Sequence, residues 1–270
     1  MKKKESMNKL GRLVAARLRK LGVALTLGGE PTYVPTDPTG PEWSVTAVGP
    51  TKLNYAYALA RALIADALPG AVPFFSPGKS YPGEVNPRWM IHLVWNTDGT
   101  PLVKTRPPGA GKTVQSKALK AGLVKKLRVA DNWIRAADSS NPERQVWVLP
   151  LDHDGKKWKS ESWRGVFGKS LTLTDAEGPA GLRLPLYLLP AESSRRALTL
   201  EAKPDGLHIF LPPLLQAPFL ELLAALVKNL PAAGGWFFEG YIPSDDAGAW
   251  SKVSIAADPG VLEINLPPCR

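Results

Sequence analysis

Two acidic motifs stand near opposite ends of this 270-residue chain. One is Leu27-Gly28-Gly29-Glu30-Pro31-Thr32. The other is Asp258-Pro259-Gly260-Val261-Leu262-Glu263-Ile264-Asn265. Each sets one carboxylate in an apolar run beside glycine and proline. A strand carboxylate with apolar neighbours is costly to bury unless it is paired, hydrogen-bonded or bound to a metal. Two of them point to a shared cation site, with Glu30 and Glu263 as its ligands.

A second concentration of chemistry lies in the loop Ser76-Pro77-Gly78-Lys79-Ser80-Tyr81-Pro82-Gly83-Glu84-Val85-Asn86-Pro87-Arg88-Trp89. Its glycines permit close backbone approach to a ligand. Lys79 and Arg88 suit phosphate or carboxylate, the arginine in bidentate fashion. The bland alternative is a rigid surface loop with ordinary ion pairs. Arg183, inside Gly181-Leu182-Arg183-Leu184-Pro185-Leu186, is a cation in an apolar segment. It is expected to pair with a buried carboxylate, structurally or in the site.

Other motifs fall short. Gly109-Ala110-Gly111-Lys112-Thr113 imitates a phosphate-binding loop, but Arg106 stands where the first glycine belongs and no clear strand precedes it. His92, His153 and His208 have no metal-ligand spacing. His92 and His208 alternate with apolar neighbours and read as solvated or satisfied within the core. Gly78-Lys79-Ser80-Tyr81-Pro82 lacks the last glycine of a nucleophile elbow.

The elements that must hold these residues form an α+β pattern: a largely antiparallel sheet with flanking helices. Met7, Leu10, Val14, Leu18 and Leu21 recur at helical spacing until Gly22. A buried strand is expected over 23–27, a helix over 51–67, an ordered Pro/Gly-rich loop over 69–88 and a strand over 90–95. Residues 104–112 read as a basic linker and 113–137 as a helix, with Leu119, Leu123, Leu127 and Trp133 on one side. Strands follow at 145–149, 184–188, 197–202, 207–211, 235–240, 252–256 and 261–266, interrupted by a helix over 219–230. Lys203-Pro204-Asp205-Gly206 is a good hairpin turn.

The net charge of +10 is unevenly spread. Residues 1–20 carry eight Lys or Arg and one acid, and residues 104–130 carry eight and none. These segments sum to +15, leaving about −5 for the rest. The body is therefore mildly acidic with two basic attachments, 1–22 and an insert over 104–137. Hydrophobic content of 44% fits a sizeable globular core, yet no apolar run is long enough to span a bilayer. The single cysteine, Cys269, cannot form an internal disulfide and fits a reducing compartment. A cytoplasmic location without membrane contact is the expectation.

The stretches at 25–34 (LTLGGEPTYV), 40–52, 78–89 (GKSYPGEVNPRW), 178–186, 197–213, 237–246 and 251–268 (SKVSIAADPGVLEINLPP) resemble, in that order, a bacterial amidoligase family. Its members are often fused to, or encoded beside, transglutaminase-like proteins. The insert over 104–137 looks least like the family. The family is thought to be similar to the catalytic fold of glutamine synthetase and glutamate–cysteine ligase. That resemblance implies an antiparallel sheet whose acidic residues hold Mg²⁺ and ATP.

It further implies a carboxylate–amine ligase working through an acyl phosphate. Glu30 and Glu263 would be metal ligands, Lys79 and Arg88 catalytic cations, and Arg183 and Asn265 nucleotide-binding. The family pattern continues beyond this point with a Gly-rich Asn-His segment. The chain is accordingly expected to be an N-terminal part, a split subunit or a degenerate copy. Expected partners are small-molecule or peptide carboxylates and amines, a chain carrying the remainder, or a transglutaminase-like protein. Two other classes remain in view: a non-catalytic assembly module pairing through a sheet edge, and, more weakly, nucleic-acid binding through the basic insert, which lacks interleaved aromatics.

Overall fold

The computed structural model describes residues 2–22, 29–36, 41–84, 87–103, 116–230, 236–243, 248 and 250–266. The strand expected over 23–27, the Gly109–Thr113 motif and Cys269 lie outside them. In chain order the first elements are α1 (Lys2–Lys20), β1 (Thr32–Tyr33), α2 (Pro41–Val45) and α3 (Pro50–Asp66). β2 (Val72–Pro77), β3 (Trp89–Asn96), α4 (Ser116–Leu127), β4 (Ile134–Ala137) and β5 (Gln145–Pro150) follow. Next are β6 (Asp152–His153), β7 (Trp158–Lys159), α5 (Arg164–Phe167) and β8 (Ser170–Thr172). The chain continues with β9 (Ala197–Lys203), β10 (Gly206–Leu211), α6 (Gln216–Asn229), β11 (Trp236–Gly240), β12 (Trp250–Asp258) and β13 (Val261–Asn265).

Eleven of these strands form one sheet, in the order β1-β13-β12-β3-β2-β11-β10-β9-β5-β4-β8. Seven neighbouring pairs are antiparallel; β10–β11, β11–β2 and β4–β8 are parallel. The expected α+β class is therefore what the molecule has. The first and last of the described strands, β1 and β13, lie side by side at one edge.

The period-two alternation of β3 shows how the sheet is covered. Ile91 and Leu93 face one way, into a core with Ala56, Ala60 and Ile64 of α3 and with Val253, Ile255 and Ile264. Val94 faces the other way, into the largest core. There Leu119, Leu123 and Leu127 of α4 and Phe219, Leu222, Leu223 and Leu226 of α6 cover β2, β9, β10 and β11. Each such side chain contributes about 1.5–3 kcal/mol on burial. A third core, around Ile134, Val146, Val148, Trp163 and Leu171, sits toward the β8 edge.

Four expectations are corrected. Of the helix expected over 113–137, residues 113–115 lie outside the described residues and the remainder holds α4 only to Leu127, ending where Arg128 turns to φ 56; Trp133 belongs to the approach to β4. Nor is it an appendage, because Leu119 and Leu123 are fully buried against α6. Lys120 of this helix lies 3.1 Å from the Trp147 ring centroid, a packing contact that spends one of its charges internally. The loop over 69–88 contains β2, whose Pro73 and Pro77 disguise it. The strand over 184–188 is instead two short 3-10 turns, Ala180–Arg183 and Leu186–Leu188, set apart by Pro185, which has no N–H for a ladder.

Gly240 ends β11 at φ +113, and a Cβ there would stand 2.2 Å from the Leu211 carbonyl oxygen. Backbone, not a yielding side chain, is the obstacle. Gly240→Ala is expected to lower unfolding stability by more than about 2 kcal/mol, combining left-handed strain with overpacking. Urea denaturation measures this, and an unchanged midpoint would contradict it.

Candidate active site

The β1–β13 pairing brings the two acidic motifs together. Thr32 pairs with Glu263 and Tyr33 with Leu262. The ladder continues outward, the Ile264 amide donating to Pro31 O (2.8 Å) and the Leu266 amide to Gly29 O (3.1 Å). This register sets Glu30 across from Asn265. On the inner side Ala256 pairs with Glu263 and Ser254 with Asn265; Met90 and His92 come next. Paired residues share a face, so Glu30, Glu263, Asn265, Ser254 and His92 lie on one side. Leu262 and Ile264 point into the core on the other.

The β12–β13 turn is fastened from behind. Lys52 of α3 is completely buried, and its ammonium donates to Thr46 O (2.6 Å), Ala47 O (3.2 Å) and Asp258 O (2.7 Å). The Trp43 indole donates to Gly260 O (2.6 Å), while the Gly260 amide donates to Trp43 O (2.9 Å). The Asp258 carboxylate, facing forward, accepts from Arg88.

Arg88 is thus a hub. Its guanidinium also grips Glu84, with Nη2 donating to Oε1 at 2.7 Å, and stacks 3.9 Å from the Tyr81 ring centroid. These hydrogen bonds lower the Glu84 pKa and raise that of Arg88. The Arg88 amide bonds Lys79 O (2.9 Å), and a Cβ on Gly78 would meet Arg88 O at 2.7 Å, so the chain needs glycine there.

These parts enclose a cavity of about 320 Å³ lined by Glu30, Lys79, Tyr81, Arg88, Asp258, Glu263 and Asn265, among others. Five of the six residues singled out from sequence therefore meet in one place. Lys79 is exposed there. Arg88 is put to a different use from the one expected. Two carboxylates already neutralise it, so it shapes the wall rather than waiting for an anion. The acids that occupy it, Glu84 and Asp258, lay within quoted motifs, but nothing in a linear sequence pairs them.

Arg183 is not in the cavity. Its Nη1 and Nη2 donate to Asp138 at 2.7 and 3.0 Å, and its Nε donates to Thr174 O. Asp138 also binds Arg144, which reaches Glu201. Beyond lie Glu239 and His208, joined at 2.6 Å, with Asp205 on the other ring nitrogen at 3.1 Å. This strip runs across the α3 side of the sheet, opposite the cavity. Burial, then Glu239 and Asp205, raise the pKa of Tyr57 beside it. His92, on the cavity side, bonds Ser254 Oγ at 2.6 Å, and burial followed by the Lys252 charge lowers its pKa to about 4.

Among the described residues no group of three His, Cys, Asp or Glu is arranged for a metal. Glu30, Glu263 and the Asn265 side-chain oxygen nevertheless form a hard, all-oxygen set. Mg²⁺ commonly takes one or two carboxylates and completes its shell with water and ligand phosphates, and such a shell fits these residues.

The sequence profile of a family described as "putative amidoligase enzyme" matches residues 2–141 and 189–270. The chain belongs to this family, whose name supports a ligase-like role. The match runs through 104–137, so that insert is not the least family-like part; the break falls at 142–188, which includes Arg183. No curated protein and no solved structure matches the chain. Among the described residues no helix is long and apolar enough to cross a membrane.

The Arg183 pair, with help from Ser140 and Arg144, holds the Asp138 carboxyl well below the usual carboxylate range. A depressed folded-state pKa contributes stability that is present above the ordinary value of about 4 and lost on acidification below it. Asp138→Asn should destabilise the protein at pH 7 and flatten the loss of stability below about pH 4. Denaturant titrations at several pH values check this, and parallel wild-type and variant curves would contradict it.

Proposed function

We propose that this chain supplies the metal–nucleotide face of an ATP- and Mg²⁺-dependent carboxylate–amine ligase. The observation that carries the reading is the meeting of Glu30, Glu263, Asn265 and Lys79 in one cavity. The family name supports the reaction class. The reaction joins a carboxylate to an amine through an acyl phosphate, with phosphate as leaving group.

Glu30 and Glu263 would hold Mg²⁺, which supplies charge neutralisation for the transferring phosphoryl group. Asn265, opposite Glu30, offers a neutral oxygen and an amide donor to the same ligand. Lys79 offers a mobile positive charge to a phosphate or carboxylate oxygen. Arg88 keeps the wall in shape by holding Glu84 and Asp258 off the ligand. Glu263 stands on β13, and Glu30 lies just before β1 in a segment whose Gly29 and Pro31 carbonyls accept from β13, so backbone pairing sets both positions.

Thermal melting of wild type and Glu263→Gln, with and without Mg²⁺ plus a non-hydrolysable ATP analogue, tests this. Binding to the native state raises the melting temperature by mass action. The expected result is an upward shift in wild type that Glu263→Gln abolishes while keeping its ligand-free melting temperature. An equal shift in both proteins, or none in wild type, would overturn the reading.

A further inference from the structure

A second cavity, of about 460 Å³, lies on the α3 side of the sheet, beyond the same Arg88. Phe75 and Trp89 form its floor, with ring centroids 6.4 Å apart. Phe75 pairs with Ile91, which faces the α3 core, and this fixes the side. One wall is Val48 and Leu53, at the start of α3. The other is the 3-10 turn Ala180–Arg183 and the chain leading into it, with Glu177, Pro179 and Leu182. Arg88 and Trp89 line this cavity and the Glu30–Glu263 cavity alike.

The 177–182 wall is held from behind. Arg183 is locked to Asp138 by hydrogen bonds of 2.7 and 3.0 Å, and its carbonyl accepts from the Thr174 amide at 2.8 Å. Arg144 reaches from the same acid to Gly178 O at 3.4 Å. A Cβ on Gly181 would stand 2.0 Å from the Phe210 ring, so the turn lies close against β10. The buried ion-pair strip thus positions one side of a cavity. That wall falls within 142–188, where the family profile does not match, whereas residues 48–89 lie inside the match. A mostly apolar recess of this volume, with an aromatic floor and few polar groups, has the size and lining of a small-ligand pocket.

We propose that this recess seats the large apolar side chain of a substrate that the ligase joins, and that the 177–182 wall selects it. The inference rests on the ligase reading of the neighbouring cavity and adds a substrate class to it. With the side chain held between Leu53 and Leu182, the reacting group rounds Arg88 toward Lys79 and the Glu30–Glu263 pair. Arg88 borders that path already neutralised by Glu84 and Asp258, so it guides a charged group past without capturing it. An aromatic body suits Phe75 and Trp89 best, through offset or edge contacts. The reacting group is a carboxylate or an amine, and the apolar body is common to both.

Ligand-observed NMR titration with hydrocinnamate and with phenethylamine, without Mg²⁺ or nucleotide, tests this. The two probes share a phenyl body and differ in the charge of the end group. Wild type should bind at least one of them with a Kd of about 1 mM, as a fragment of this size can reach. Leu182→Trp and Val48→Trp fill the recess from opposite walls, and each should weaken that binding about tenfold or more. Leu188→Trp, exposed and lining neither cavity, should leave it unchanged. Ligand-free melting temperatures check the fold of each variant. Preference for hydrocinnamate names the carboxylate substrate, preference for phenethylamine names the amine substrate, and equal binding names the apolar body alone. No binding by wild type, unchanged affinity in either filled variant, or an equal loss in Leu188→Trp would overturn the proposal. Glu263→Gln should bind the probe as wild type does. A failure of the metal–nucleotide reading, seen as a missing melting shift, is thereby distinguishable from a failure of this one.

Discussion

The buried ammonium of Lys52 is the contact on which the site most depends. A lysine taken wholly out of water is tolerated only when its donors are satisfied, and here three backbone carbonyls do so. One of them belongs to Asp258, in the turn that joins β12 to β13. The same turn is held by the paired Trp43–Gly260 hydrogen bonds. Because the turn cannot pivot, the register of β13 against β12 is fixed, and with it the face that Glu263 and Asn265 present. A one-residue slip would move both into the α3 core.

Asp258 also couples the rear of the sheet to the front. Its carbonyl answers Lys52 behind, and its carboxylate answers Arg88 at the cavity wall. Arg88 in turn carries Glu84 and Tyr81, so the loop after β2 is held to the hairpin at the far end of the chain. The two polar systems on opposite sides of the sheet differ in kind. In the Asp138–Arg183–Arg144–Glu201 strip, cations and carboxylates meet one another, which suits a structural role. In the cavity Glu30, Glu263 and Lys79 have no such partners among the described residues. That difference, rather than the number of charged residues, is what supports proposing the cavity as the place for a ligand.

Much of this was legible in the sequence. Glu30 and Glu263 stood out as carboxylates with apolar neighbours; Glu263 is on a strand, whereas Glu30 is exposed just before β1, and they come together because β1 and β13 are neighbours. The antiparallel character was readable from alternation in β3, β9, β10 and β12. Three things were not. Pro73 and Pro77 hid β2, because a proline-containing edge pattern looks like a loop until its partner strands are known. Leu119, Leu123 and Leu127 gave the right helical face, but no linear signal said that α6 lies across it. Arg88 looked available because its neutralising partner Asp258 lies 170 positions away. Arg183 was rightly expected to meet a buried carboxylate, and the identity of that acid, Asp138, decided between site and scaffold.

The central claim is that Glu30 and Glu263, from opposite ends of the sequence, act on one ligand. A double-mutant cycle tests it most directly. Affinity for the Mg²⁺–ATP analogue is measured in wild type, Glu30→Gln, Glu263→Gln and the double variant. Two carboxylates on one bound cation predict a coupling energy of at least about 0.5 kcal/mol, the double variant losing less than the sum of the single losses. Strictly additive losses, or a loss confined to one of the two residues, would contradict a shared site.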